Sequence, residues 1–205
     1  MSGDSRRLDY PNSAMKIHRL GRADEKGVEA IVELFADGLG SGYITREKIE
    51  GILHAKSSLF LLGCFVDAEL VAVQTVSVIT ETEAQQFEES CKRSGCSVDF
   101  AGQKIGMLIS VVVKKEFRRM GIGSQMMKEG VKLLEQMGCS RCIATAWNSG
   151  LADSSATVLE AVGFRCVTTF EKYWAEESVS LDCECPTCGS PPCECSASFY
   201  SKIIG

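Results

Sequence analysis

From Met107 to Val113 the chain is apolar apart from Ser110 and rich in β-branched side chains, the composition of a strand covered on both faces. Beyond Gly121 and Gly123 the spacing changes. Met126, Gly130, Leu133 and Met137 interleave with Met127, Val131 and Leu134 at steps of three and four, which predicts a helix with one broad apolar face. Upstream, Asp24 is placed to cap a helix whose Val28, Ile31, Val32, Phe35 and Leu39 share a face, and Thr45 to cap another carrying Ile49, Ile52 and Leu53. The runs Leu59 to Val66 and Val71 to Thr80 flank the polar break Asp67-Ala68-Glu69, as in a hairpin. Downstream, Cys142 to Asn148 reads as a strand, Asp153 as a helix N-cap, and Ala156 to Val162 as a short helix ended by Gly163-Phe164. The predicted order is strand, two helices, hairpin, fourth strand, helix, strand, helix, strand. The period-two segment Ser196 to Ile204 is a candidate final strand.

The turn between the Met107–Val113 strand and its helix reads Lys114-Lys115-Glu116-Phe117-Arg118-Arg119-Met120-Gly121-Ile122-Gly123-Ser124. Its glycines let the backbone bend and let a ligand approach without meeting a Cβ atom. Unpaired N–H groups at the helix start point into the same space, where the helix dipole favours negative charge. Arg118 and Arg119 add cationic donors, so a pyrophosphate fits. The plainer alternative is a tight connection with two turn glycines and two solvated arginines. The turn lacks the Gly-Lys-Ser/Thr ending of a P-loop and the third glycine of a dinucleotide fingerprint.

The order Arg118-x-x-Gly121-x-Gly123 after a hydrophobic strand resembles the acyl-CoA-binding loop of the GNAT acetyltransferase superfamily. The resemblance runs from about Met15 to about Trp174, and the strand, Asn148, helix, Gly163-Phe164 order is similar to the second half of that family's cofactor site. It implies an α/β (α+β) fold: a mixed, mostly antiparallel central sheet flanked by helices, with parallel fourth and fifth strands that splay apart. It implies transfer of an acetyl or other short acyl group from acetyl-CoA to an amine, small-molecule or peptidyl. Carried over by position, N–H groups around Val111 and Val113 would contact the pantetheine arm and thioester. Arg118, Arg119, Met120, Gly121, Ile122, Gly123 and Ser124 would hold the pyrophosphate, and Asn148 would touch the cofactor. The chemistry needs an oriented neutral amine, a polarised carbonyl and a base for the ammonium proton. Two positions depart from the family. Leu159 stands where many members carry a tyrosine that protonates the leaving thiolate, and Gly106 to Val113 contains no carboxylate. Asn148 also lies further from Gly163 than is usual. Tyr173, Tyr200, His18 and His54 remain as titratable candidates, and the catalytic residues stay open.

The chain has 11 cysteines, which without an export signal are unsuited to a disulfide framework, because the cytosol keeps thiols reduced. Five fall in Cys183-Glu-Cys185-Pro-Thr-Cys188-Gly-Ser-Pro-Pro-Cys193-Glu-Cys195. Two residues between Cys185 and Cys188 let both sulfurs reach one ion, and Cys193 and Cys195 complete a tetrahedral thiolate set of the kind zinc prefers. Cys183 is a competing ligand, and a cysteine-rich tail that oxidises is the alternative. Four thiolates leave no open coordination position, so such a site is structural. Cys64, Cys142 and Cys166 sit in strand-like surroundings and are expected to pack as small hydrophobes; Cys91 and Cys96 could pair under oxidation.

A chain of 205 residues with 45% hydrophobic content suits one modest core, and its net charge of −5 lacks the basic face that nucleic-acid binding needs. No apolar run approaches a membrane span, and residues 1–14 lack a signal peptide's apolar core, so we expect a cytoplasmic protein without membrane or nucleic-acid partners. The expected division is a mobile tail at 1–14, an acetyltransferase domain at 15–178 with an insertion at 81–104, and a metal-binding loop with the final strand at 179–205. The insertion opens with Glu81, Glu83, Glu88 and Glu89, which either form an ordinary solvated face or attract a cationic amine. Two functions remain open: a CoA-dependent N-acyltransferase, and a catalytically silent CoA-binding fold used as a sensor or interaction module. Monomer and homodimer are equally compatible.

Overall fold

The computed structural model describes residues 15–21, 25–54, 58–148 and 155–205. Asp24, Asp153 and the tail at 1–14 lie outside the described residues. Strand β1 (Met15–Arg19) is followed by helices α1 (Glu25–Leu39) and α2 (Arg46–His54) and the hairpin β2 (Leu59–Val66) and β3 (Glu69–Val78). Then come α3 (Glu81–Arg93), β4 (Ile105–Val113), α4 (Ile122–Gln136), β5 (Arg141–Asn148), α5 (Ser155–Ala161), β6 (Arg165–Phe170), α6 (Ala175–Ser180) and β7 (Ser196–Ile203).

The seven strands form one sheet in the order β1-β2-β3-β4-β5-β7-β6, antiparallel throughout except for β4 against β5. The final strand does not simply extend an edge: β7 enters between β5 and β6. The hairpin turn is shorter than expected. Asp67 and Ala68 alone make it, both with positive φ as a two-residue primed turn requires, and Glu69 belongs to β3. Strand β3 also stops at Val78, because Thr80 caps α3: its hydroxyl accepts from the Glu83 N–H while the Glu83 carboxylate accepts from the Thr80 N–H.

Helices α4 and α5 cover one face of the sheet, where Met126, Met127, Val131 and Leu134 of α4 bury against Val76, Leu108, Cys142 and Ala144. On the other face, Val28, Ile31, Phe35, Ile49 and Leu53 of α1 and α2 pack on Leu61, Val73 and Val112. Beside them, Ala84, Phe87 and Cys91 of α3 pack with Phe100, Ile143, Phe170 and Phe199. The 81–104 insertion is therefore a helix and loop docked on the sheet, and Glu88 caps the Phe100 N–H at 2.5 Å. Cys64 and Cys142 are fully buried, as small hydrophobes would be. Cys166 is not: it is exposed on β6, whose place at the sheet edge gives it fewer neighbours. Cys91 and Cys96 are free thiols joined through the backbone, Cys96 N–H to Cys91 C=O at 2.9 Å.

Strand β4 contains one extra residue. Thr75 faces Ser110 and Val76 faces Leu108, so Ile109 is a bulge. A one-residue shift exchanges the two faces of a strand. Leu108 points to α4 before the bulge, and after it Val111 and Val113 do, while Ser110 and Val112 turn to the α1 side.

Candidate functional site

The bulge coincides with the opening of the sheet. Parallel pairing of β4 and β5 runs from Ile105↔Arg141 to Leu108↔Ala144 and stops there, leaving Ile109–Val113 and Thr145–Asn148 to diverge. Lys114 N–H donates to the Val71 carbonyl at 2.9 Å. N–H groups of an antiparallel ladder face the partner at alternate residues, so Ser110 and Val112 direct theirs to β3 and Val111 and Val113 direct theirs into the gap.

The loop leaving this edge turns through a short 3-10 segment at Lys115–Phe117, whose buried Phe117 anchors it. Arg118 Nε donates to the Val113 carbonyl at 3.0 Å, tying the arginine to the open edge. Arg119 and Gly121 have φ of 62° and 81°, a left-handed geometry that reverses the chain into α4. Gly121 is the N-cap of α4 and offers no side chain, so the N–H groups of the first turn lack a side-chain cap. A Cβ at Gly121 would meet no protein atom within 4 Å, and one at Gly123 only Val113 Cγ2 at 3.9 Å. Met120 is 38% exposed, Ser124 is half-buried, and Ile122 is sunk in the core, leaving its backbone N–H as its polar contribution.

Asn148 has a different setting. At the end of β5 its amide nitrogen donates to Ser196 Oγ at 3.1 Å and Ser198 Oγ at 3.0 Å, and its oxygen accepts from Ser198 at 3.3 Å. Leu159 is 1% exposed and belongs to the core. The other titratable candidates have local partners: His18 stacks on Phe65, His54 Nδ1 lies 2.7 Å from the Glu50 carbonyl, and the Tyr200 hydroxyl donates to Glu160 at 2.9 Å. Tyr173 packs between Phe170 and Trp174.

Sequence reasoning passed over a second set of hydroxyls. Ser110, turned to the α1 side by the bulge, donates to Thr75 Oγ1 at 3.0 Å, and the Tyr43 phenol lies beside Ser110. Burial raises the Tyr43 pKa above its ordinary value of 10.0 despite the opposing effect of Ser110, so the phenol keeps its proton at neutral pH. Tyr43 lies in the loop joining α1 and α2, separated by 67 positions from Ser110 in numbering (110 − 43), and local sequence carries no sign of the contact.

The sulfurs of Cys185, Cys188, Cys193 and Cys195 all lie within 4.8 Å of one another and can hold a metal ion. Cys185–Cys195, Cys188–Cys193 and Cys188–Cys195 are separated by 3.8, 4.0 and 3.4 Å. A tetrahedron with bonds of about 2.3 Å has edges of about 3.8 Å, so these spacings fit zinc–thiolate geometry and exclude disulfides. The turn is that of a metal knuckle: Cys185 and Gly189 exchange backbone hydrogen bonds of 2.8 Å, and the N–H groups of Thr187 and Cys188 donate to Cys185 Sγ at 3.4 Å. Burial pushes the Cys193 thiol up to about 12, whereas the Glu194 N–H lowers Cys188. Cys183, the competing ligand, is outside the group; its sulfur faces the Glu184 carbonyl at 3.8 Å.

The model of the Acetyltransferase (GNAT) family matches residues 28–156, which spans the open edge, the glycine loop and α4. The chain belongs to the GNAT acetyltransferase family. Acyl transfer is the general chemistry of that family, and the parallel β4 and β5 within a mostly antiparallel sheet are its fold. Its structure is similar to that of the ribosomal-protein-S18-alanine N-acetyltransferase from Escherichia coli, at 12% identity and a TM-score of 0.61, covering 93% of this chain and 94% of that one. An acetyltransferase from Bacillus subtilis solved in complex with CoA gives 12% identity and a TM-score of 0.60, with 93% and 99% covered. A GNAT acetyltransferase from Elizabethkingia anophelis with acetyl-CoA bound gives 12% and 0.58, again with 93% and 99% covered. No curated protein matches the chain. Among the described residues no helix is long and apolar enough to cross a membrane.

Proposed function

We infer that this GNAT member moves an acetyl or other short acyl group from acetyl-CoA to an amine, small-molecule or peptidyl. The observation that carries this reading is the end of β4–β5 pairing at Leu108↔Ala144, with the free end of β4 leading through the Lys114–Met120 turn to an uncapped helix N-terminus at Gly121. In this reading the N–H groups of Val111 and Val113 receive the pantetheine arm and the thioester carbonyl, polarising it for attack. The pyrophosphate lies on the N–H groups from Gly121 to Ser124, with Arg118, Arg119 and Met120 forming the outer turn. Asn148, held at the lip of β5 by Ser196 and Ser198, would touch the cofactor from that side.

The neutral amine attacks the carbonyl carbon, the nitrogen gives up one proton as the C–S bond breaks, and CoA leaves as a thiolate that takes a proton, so that an amide and the CoA thiol result. Tyr43, a protonated phenol on the α1 side, would be a donor near that edge, beside the hydrogen-bonded Ser110–Thr75 pair. Cys185, Cys188, Cys193 and Cys195 would hold one zinc ion, which with four thiolates has a structural role. The solved relatives bound to CoA and acetyl-CoA support the cosubstrate, and the Escherichia coli relative's name supports a peptidyl amine as one acceptor class.

Release of CoA thiol from acetyl-CoA across a panel of small amines and peptide N-termini tests the reading, with the acylated product identified by mass. Tight acetyl-CoA binding with no thiol release above the hydrolysis background for any amine would replace it with the silent CoA-binding fold.

A further inference from the structure

The cysteine loop touches both walls of the open end of the sheet. On the β4 side it is docked on the α1–α2 loop, backbone against backbone. Glu184 N–H donates to the Ser41 carbonyl at 3.3 Å, and Ser41 Oγ donates to the Glu184 carboxylate at 3.3 Å. Gly40, with φ of 104°, lies so close to the Glu184 carbonyl that any Cβ would collide with it, and a Cβ at Gly42 would stand 3.2 Å from the Asp182 carbonyl. These glycines lead directly into Tyr43, which reaches Ser110. A cavity of about 490 Å³ between Ser41, Gly42, Asp182, Glu184, Ser190 and Pro191 marks the seam. On the β5 side, the Trp147 side chain lies beside Cys195, one of the four clustered thiols, and the next residue, Asn148, pairs with Ser196 directly after that cysteine, its amide donating to Ser196 Oγ at 3.1 Å. Trp147 alternates with Ile143 on the face opposite α4, which is the face that Ser110 and Tyr43 occupy.

We propose that the four-cysteine centre is a brace across the mouth of the transfer slot, fixing Tyr43 through Glu184 and Gly40 on one side and the end of β5 through Trp147 on the other. The inference rests on the acyl-transfer reading for what the slot does. It adds that metal occupancy sets the shape of the amine-facing side while leaving the pyrophosphate loop untouched, because that loop hangs from β4 and α4 on the opposite face. Gly40 and Trp147 are positioning residues: they act through the loop and the thiolate they touch.

The test compares the zinc-loaded full chain with the same chain stripped by a chelator, and with a zinc-loaded Gly40→Ala variant. Metal content, amide hydrogen exchange, Trp147 emission in a Trp174→Phe background, acetyl-CoA affinity and steady-state kinetics are read on each. Stripping should raise exchange at the Tyr43 and Glu184 amides about tenfold and shift Trp147 emission, both restored by zinc, with α4 amides still protected. The KM for the amine should rise about tenfold or more while acetyl-CoA affinity stays within about twofold. Gly40→Ala should keep its metal yet exchange at Tyr43 as the stripped protein does. Protection at Tyr43 that survives loss of the metal, or wild-type protection in Gly40→Ala, overturns the brace. A chain that takes up no zinc overturns the metal reading and the brace together. Loops that respond to zinc in a chain that releases no CoA thiol support the brace and overturn only the acyl-transfer reading.

Discussion

The carboxamide of Gln74 lies against the bare backbone of Gly130, so closely that a Cβ on the glycine would stand 2.8 Å from the Gln74 oxygen. Gln74 is fully buried between β3 and α4, and neither its nitrogen nor its oxygen has a hydrogen-bond partner among the described residues. Unpaired buried amide groups cost about 1–3 kcal/mol. Gln74→Met, which keeps the length and removes both polar atoms, should therefore raise stability by about that amount. Urea unfolding gives the check, with the midpoint rising at constant slope.

Gly121→Glu should abolish measurable acetyl-CoA binding. The left-handed φ of 81° strains any L side chain there, and a carboxylate would place negative charge where the α4 N-terminus favours an anion ligand. Calorimetry on the folded variant is the measurement, with the melting temperature as a control for the backbone strain. Unchanged affinity would remove the Arg118–Ser124 loop from the cofactor site.

The acidic start of the 81–104 insertion divides into two pairs. Glu83 completes the α3 capping box and Glu88 caps Phe100, whereas Glu81 and Glu89 are exposed to solvent. Glu83→Ala should cost about 1 kcal/mol, and Glu81→Gln with Glu89→Gln should leave stability within about 0.5 kcal/mol. If the exposed pair draws a cationic amine to the site, the double variant lowers kcat/KM for a diamine at low salt and loses that difference at high salt. Identical kcat/KM and identical salt dependence would make the helix a purely structural cover.

Burial pushes the phenols of Tyr173 and Tyr200 up to about 12 from 10.0. A proton held more tightly in the folded than in the unfolded state contributes stability in full below the unfolded pKa. That contribution is lost as pH rises from 10 through the folded value. The protein should show late phenolate absorbance in an alkaline titration, with unfolding between about pH 10 and 12. Tyr173→Phe with Tyr200→Phe should move that unfolding to higher pH, read by circular dichroism.

The strand, the Arg118-x-x-Gly121-x-Gly123 turn, α4 and the four-cysteine group were legible because each depends on local spacing. Strand composition, helical periodicity and short ligand intervals all act within a few residues. The bulge at Ile109 was not legible, since Met107 to Val113 is apolar on both faces and carries no alternation for a register shift to interrupt. The Thr80-x-x-Glu83 box was present in the sequence and was absorbed into an overlong strand. Tyr43 and Ser110 are brought together only by the fold, as are Trp147 and Cys195, and the Ser196 and Ser198 partners of Asn148 lie too far along the chain to be read locally. Cys166 shows the limit of composition as a guide to burial, because nothing local reveals that β6 is an edge.

The place of β7 between β5 and β6 has a consequence for how the protein is made. Residues 196–203 supply an interior strand, so β5 and β6 have no bridge between them until the ribosome has synthesised almost all of this domain. During translation the earlier β1–β4 layer can assemble with its helices while the β5 and β6 edges wait, exposed to pairing with other chains. The cysteine loop emerges immediately before β7. Closing it on a metal would shorten the search of the last strand for its slot, and metal supply during synthesis would then help to set the yield of folded protein.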